Sequence, residues 1–127
     1  MFIANSVGDI TYSNDTWWEI SRHPRSENSA DTWMDSIFDE DRHELRAIWD
    51  KLIQDKTPVT HEFRFKTPWQ DRNGNRGYTW VLMSAYPEKD EHGRLQSVFG
   101  SITNISEVKW AEDFQKRRME EAMYVYI

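Results

Sequence analysis

The sequence predicts an α+β domain, one antiparallel sheet with short helices gathered on one face so that each element buries its apolar side. Three observations carry this. Two runs rich in aromatic and β-branched residues, Arg76 to Pro87 and Gly93 to Ser106, meet across a charged turn containing Gly93 and read as a long hairpin. Val59, His61, Phe63 and Phe65 alternate with Thr60, Glu62, Arg64 and Lys66, the period of a strand with one wet face. Before that strand, Leu45, Ile48, Trp49, Leu52 and Ile53 fall at i, i+3, i+4, i+7 and i+8, an apolar stripe opposite Arg46, Asp50, Lys51 and Gln54.

From the start of the chain, Met1 to Ser6 and Ile10 to Ser13 flank Val7-Gly8-Asp9, a short turn whose glycine tolerates positive φ. Asn14-Asp15 offers a cap to Thr16 through Ile20, enough for one or two helical turns. Pro24 and the polar run Arg25 to Ser29 form an exposed loop. Ala30 to Phe38 reads as a second short helix, with Trp33 and Ile37 on one side and Met34 beside them. Asp39, Glu40 and Asp41 suit the positive end of the amphipathic helix that follows, and Thr57-Pro58 stops it. Asn73-Gly74, within Gln70 to Asn75, turns the Val59 strand into the next. Glu107 to Met123 reads as a helix that the last strand enters directly.

A length of 127 residues suits one domain with its own core. The absence of cysteine excludes a disulfide framework, a thiolate metal site and a cysteinyl-flavin photoreceptor, and suits a reducing, cytoplasmic setting. A net charge of -6 with interspersed signs lacks the basic face that nucleic acid requires. No run of about 18 apolar residues is present to span a bilayer, and the N-terminus lacks the regions of a signal peptide. The seven tryptophans read as packing, each able to bury on the order of 200 Å².

Tyr12-Ser13-Asn14-Asp15 after the glycine hairpin, Glu62-Phe63-Arg64-Phe65, Tyr78-Thr79-Trp80-Val81, Gly93 in the following turn, and Gly100 through Ser106 occur in a telling order and spacing. Together they resemble the successive signatures of a PAS domain, running from Phe2 to about Ser106, and most of all the subgroup with a tryptophan in its penultimate strand. The resemblance implies a five-stranded sheet in the order 2-1-5-4-3, helices across one face with a small-molecule cavity between them, and a final strand feeding a linker helix. Residues 1–106 are then the PAS domain and 107–127 a signalling helix. Lys109 to Ala122 further resembles the linker before the phosphoacceptor helix of fungal hybrid histidine kinases, which implies a two-component kinase as output in a longer parent chain. The kinase residues themselves are absent, so no enzyme is expected of this segment. Where the family ends its last strand in Asp-Ile-Thr, this chain has Asn104-Ile105-Ser106. Asparagine keeps the accepting oxygen and loses the charge.

No pair of His23, His43, His61 and His92 has metal-ligand spacing, and no metal site is expected. His43 sits where some PAS domains carry a haem ligand, but its helical phase turns it away from the apolar stripe, about 200° from Leu45, which argues against haem. The carboxylates read as a helix start and a solvated helix face, and Gly74 and Gly77 as a turn lacking a P-loop's lysine and helix.

Two readings stay open. In the first the chain is a sensor whose cavity, walled by His61, Phe63, Phe65 and Trp80 or by their strand neighbours, holds a ligand of unknown identity, and Asn104, Ile105 and Ser106 couple sheet to helix. In the second it binds no small molecule and serves to dimerise or dock. The many aromatics favour a filled or very small cavity, with Trp80 buried deeply enough that Trp80→Ala costs about 3–5 kcal/mol. The strand from Tyr78 to Tyr86 is apolar on both faces, and Trp110 and Phe114, four apart, are expected to cover the outer one in their own or a second subunit, giving a homodimer. The broken seam of the last helix is too irregular for a coiled coil alone. The start in a strand and the end at Ile127 are expected to mark a segment of a longer protein.

Overall fold

The computed structural model describes residues 1–24, 32–74 and 76–125, with side chains for all of these except 114 and 117–125. Five strands, β1 (Phe2–Ala4), β2 (Ile10–Ser13), β3 (Val59–Gln70), β4 (Arg76–Lys89) and β5 (Leu95–Asn104), form one antiparallel sheet in the order β2-β1-β5-β4-β3. Helix α1 (Asp15–Ser21), a 3-10 turn (Trp33–Ser36) and helix α2 (Asp39–Asp55) pack on one face, and helix α3 (Ser106–Val125) leaves the end of β5. The order is the expected one.

The local reasons are visible residue by residue. Asn14 caps α1 by accepting the Trp17 N–H at 3.2 Å. Helix α2 ends at Lys56, which is left-handed at φ 57° and donates its N–H to the Leu52 carbonyl, so the helix closes just before Thr57-Pro58. Gly8 sits at φ 93° in the first turn, and a Cβ there would lie 2.7 Å from Trp49 Nε1. That nitrogen donates to the Gly8 carbonyl at 3.3 Å, which ties the hairpin to α2.

The second short helix is the main correction. Ala30 and Asp31 lie outside the described residues; Thr32 is helical, Trp33 to Ser36 form a 3-10 turn, and the coil ends there because Ile37 pairs with Phe65 as an isolated bridge and the Phe38 N–H donates to the Arg64 carbonyl at 2.8 Å. Pairing with the sheet edge draws the chain out of helical geometry. Trp33, Met34 and Ile37 are nonetheless all buried, as their spacing required. Strand β3 runs on to Gln70, past the expected end at Lys66, through an irregularity between Phe65 and Pro68. Pro68 is tolerated there because β3 is an edge strand.

The core lies between the sheet and the helices. Phe2, Trp17, Trp33, Trp49, Phe63 and Phe65 form its aromatic part, with Leu45 and Leu52 of α2 and Val81, Met83 and Val98 of the sheet. Trp33 meets Trp49 edge-on at 5.2 Å between centroids, and Phe63 meets Phe65 at 5.1 Å. Such pairs contribute about 0.5–1.5 kcal/mol beyond the area they bury. Gly100, opposite Phe2 across the β1/β5 pair, lies under the Phe2 ring.

Candidate functional site

Register decides which strand residues face the helices. Phe63 pairs with Val81 and Phe65 with Thr79, all buried, while Arg64 pairs with Trp80. His61, half-buried, pairs with Met83 and so shares the inner face with Phe63 and Phe65. Trp80 does not join them. It lies half-buried on the outer face, which corrects the expectation that it walls a cavity and is deeply packed; the inner wall on β4 is made by Val81 and Met83. Phe63 and Phe65 are each only 1% exposed, and Phe65 also meets Trp17 edge-on. His43 is exposed, as its helical phase required.

Among the described residues, two hollows lie apart from these side chains. One of about 90 Å³ is bounded by Ile10, Thr11, Tyr12, Ser13, Trp17 and Trp18, and another of about 250 Å³ opens between the end of α1, the 3-10 turn and β3 around Arg22, Asp35 and Lys66. Both fall below the roughly 300–1,000 Å³ usual for small-molecule sites.

The strand-to-helix junction is built on the backbone of Trp80. As β5 ends, the Ile105 N–H donates to the Trp80 carbonyl at 2.9 Å, and the Trp80 N–H donates to Ser106 Oγ at 3.0 Å. Asn104 Oδ1 in turn accepts from the Ser106 N–H at 3.0 Å and the Ser106 hydroxyl at 2.6 Å. All three coupling candidates therefore meet at one point. Asparagine suffices because the task of its oxygen here is to hold the first residue of α3, which needs an acceptor and no charge.

On the outer face two cations approach the Trp80 indole. The Arg64 guanidinium lies 5.0 Å from its ring centroid and Lys109 Nζ 4.9 Å. Each such contact contributes about 0.5–1 kcal/mol at an exposed site, rising toward about 2 as water is excluded. Lys109 also forms an ion pair with Glu62, and that hydrogen bond, outweighing desolvation, raises the pKa of its ammonium. Arg64 reaches the opposite way, round the sheet edge, where Asp41 of α2 accepts from its Nε at 2.9 Å, a terminal nitrogen at 2.8 Å and its backbone N–H at 2.8 Å. Burial alone would raise the Asp41 pKa, but the hydrogen bonds and charge of Arg64 hold it below the usual carboxylate range. The Phe38 ring lies 4.2 Å from the same guanidinium and meets Tyr78 at a tilt, 4.6 Å between centroids.

The family model for the PAS fold matches residues 10–102. The chain belongs to the PAS fold family. No curated protein matches this PAS domain. Among solved structures it is similar to a sensory box histidine kinase/response regulator from Burkholderia thailandensis, at 19% identity and a TM-score of 0.68, covering 97% of this chain and 88% of that one. It is similar also to the N-terminal domain of a diguanylate cyclase with PAS/PAC sensor from Marinobacter aquaeolei, at 16% identity and a TM-score of 0.64, covering 83% and 93%. The PAS domain of the fruit-fly ELK potassium channel matches at 16% identity and a TM-score of 0.55, covering 83% and 85%. At these identities the likeness is one of fold. Among the described residues, no helix of this PAS domain is long and apolar enough to cross a membrane.

Of the docking candidates, Trp110 is half-buried in α3, and the Phe114 side chain lies outside the described residues. Sequence reasoning missed His23. It is 7% exposed, with Nδ1 2.5 Å from Ser36 Oγ and Nε2 3.2 Å from Thr32 Oγ1, and it joins α1 to the 3-10 turn. Its only sequence signal is a histidine beside a loop proline.

Burial lowers the His23 pKa below its ordinary 6.5, with Asp35 opposing, so the ring is neutral in the fold and charges more readily when unfolded. In that window the unfolded chain binds more protons, so this contribution is complete above 6.5 and is lost as pH falls below it. Urea midpoints are expected to fall from pH 7 toward about pH 5, and His23→Asn to flatten that slope. An unchanged slope in the variant would assign the pH dependence to other groups.

Proposed function

We infer that this PAS domain is a sensory module that passes its state to α3, and that α3 leads to a histidine kinase in a longer parent chain. The observation that carries the reading is the junction, where Asn104, Ile105 and Ser106 fasten the start of α3 to the backbone of Trp80 in β4. A change in the packing under β4 then moves the helix with it. In this reading residues 1–106 sense, residues 107–127 transmit, and His61, Phe63 and Phe65 line the region where a ligand is received. The kinase assignment rests on the likeness of Lys109 to Ala122 to kinase linkers, and it accords with the sensory box histidine kinase among the structural relatives. The segment is regulatory and carries out no catalysis of its own.

A second reading, a dimerisation module without a ligand, is favoured by one feature of the outer face. Tyr12, Ile3, Phe99 and Tyr86 are in register across four adjacent strands. Tyr12, Phe99 and Tyr86 are 49%, 41% and 57% exposed, an apolar row with no charge in it. A second copy of the chain offers the same row and can cover it by two-fold symmetry.

Native mass spectrometry of the purified chain separates the two. A small molecule that copurifies stoichiometrically supports the sensor, and a bare dimer weakened by Phe99→Glu supports the second reading. A bare monomer at about 100 µM, where a standard interface is populated, sinks both.

A further inference from the structure

Asp41 stands at the start of α2 on the helical layer, and Lys109 stands in the first turns of α3 on the other side of the sheet. They are connected through side chains round the β3 edge. Asp41 holds both the guanidinium and the backbone N–H of Arg64, the guanidinium lies against Trp80, and Lys109 lies against the same indole while paired with Glu62.

We propose that Asp41, Arg64, Glu62 and Lys109, gathered about the Trp80 indole, form a relay through which the position of α2 sets how firmly the first turns of α3 are held, with Arg64 as the positioning residue. The proposal rests on α3 being the output element and adds a route separate from the Asn104 to Ser106 junction. Its sign follows from a competition. Glu62 and Arg64 are two apart on β3 and share its outer face. Asp41 is the main partner neutralising Arg64, ahead of the exposed Glu40 at 3.6 Å, and while it holds the guanidinium Glu62 is left to Lys109. When the start of α2 withdraws, Arg64 is an unpaired cation beside Glu62, draws that carboxylate away, and Lys109 loses its ion-pair partner on the sheet, keeping only the Trp80 indole. Movement in the helical layer then loosens α3 without any change in the backbone bonds at Trp80.

Amide hydrogen exchange in the intact chain tests this. In Asp41→Asn, amides from Lys109 to Asp113 are expected to exchange about tenfold faster, while those of Trp17 to Ser21 in α1 keep their rates. Removing the competitor in Asp41→Asn/Arg64→Met is expected to return α3 to within about threefold of the native rate, which a purely structural role would not do. Glu62→Gln should reproduce the fast exchange alone, and Asp41→Asn should then add nothing. Unchanged α3 rates in both Asp41→Asn and Glu62→Gln, a further rise in the Arg64→Met double variant, or equal acceleration in α1 overturns the relay. The outcome is independent of ligand and kinase: a chain that proves ligand-free costs the sensory reading and leaves the relay standing, and the reverse also holds.

Discussion

Trp49→Ala is expected to lower the stability of this domain by about 3–5 kcal/mol, the range for deleting a buried aromatic side chain. Trp49 is 3% exposed and touches three separate parts of the fold. It meets Trp33 of the 3-10 turn at 5.2 Å, Phe2 of β1 at 6.1 Å, and the Gly8 carbonyl of the first hairpin through its indole N–H. The truncation leaves a cavity that a chain with an aromatic core refills poorly, and it orphans a carbonyl held by that N–H. Trp49→Phe keeps much of the volume and loses the hydrogen bond, so it should fall between the two. Urea unfolding measures all three chains. A loss under about 1 kcal/mol in Trp49→Ala would mean that the first hairpin and the 3-10 turn are not held through this ring.

Gly100→Ala is expected to cost about 1–3 kcal/mol although alanine suits a strand better than glycine does, because adding one methyl to a filled core forces side chains off their rotamers. A Cβ on Gly100 would lie 2.1 Å from Phe2 Cζ, with two more ring atoms at 2.5 and 2.7 Å. The ring has little room to retreat, since Phe2 is 1% exposed and Trp49 lies beside it. The prediction has a built-in control. In a Phe2→Leu background, which removes the far end of the ring, Gly100→Ala should cost less than it does in the native chain, a coupling of the size neighbouring residues show, about 0.5–3 kcal/mol. Additive costs would show that the strain lies in the backbone of β5 and not against Phe2.

The sheet order was legible because the motifs that carry the family resemblance are local and stand in a fixed order, and the same motifs drew attention to Asn104 to Ser106. Periodicity supplied the elements themselves, and it placed Leu45, Trp49 and Leu52 inward without help. Trp80 shows where that stops. Alternation separates Tyr78, Trp80 and Leu82 from Val81, Met83 and Ala85, but both sets are apolar, so hydrophobicity cannot say which set is inside. The answer lies in the pairing of Phe63 with Val81, and the irregularity between Phe65 and Pro68 breaks the register that a count back from the Asn73-Gly74 turn would give. The 3-10 turn was misread for a related reason, since Ile37 bonds to a strand far away in sequence. Arg64 was read as one residue of a wet face. Nothing near it in sequence announces Asp41 as its partner, because an ion pair closed by tertiary structure leaves no spacing to read.

The edge strand β3 has one further consequence. Its middle, at Arg64 and Phe65, is covered by Phe38 and Ile37, and its second half carries Pro68, which has no N–H to offer a neighbour. An edge finished in this way resists growing sideways by adding strands from other chains, the route that leads to open-ended fibres. In the dimerisation reading proposed above, the flat of the sheet is then the face left for a second copy, where two copies satisfy one another and assembly stops.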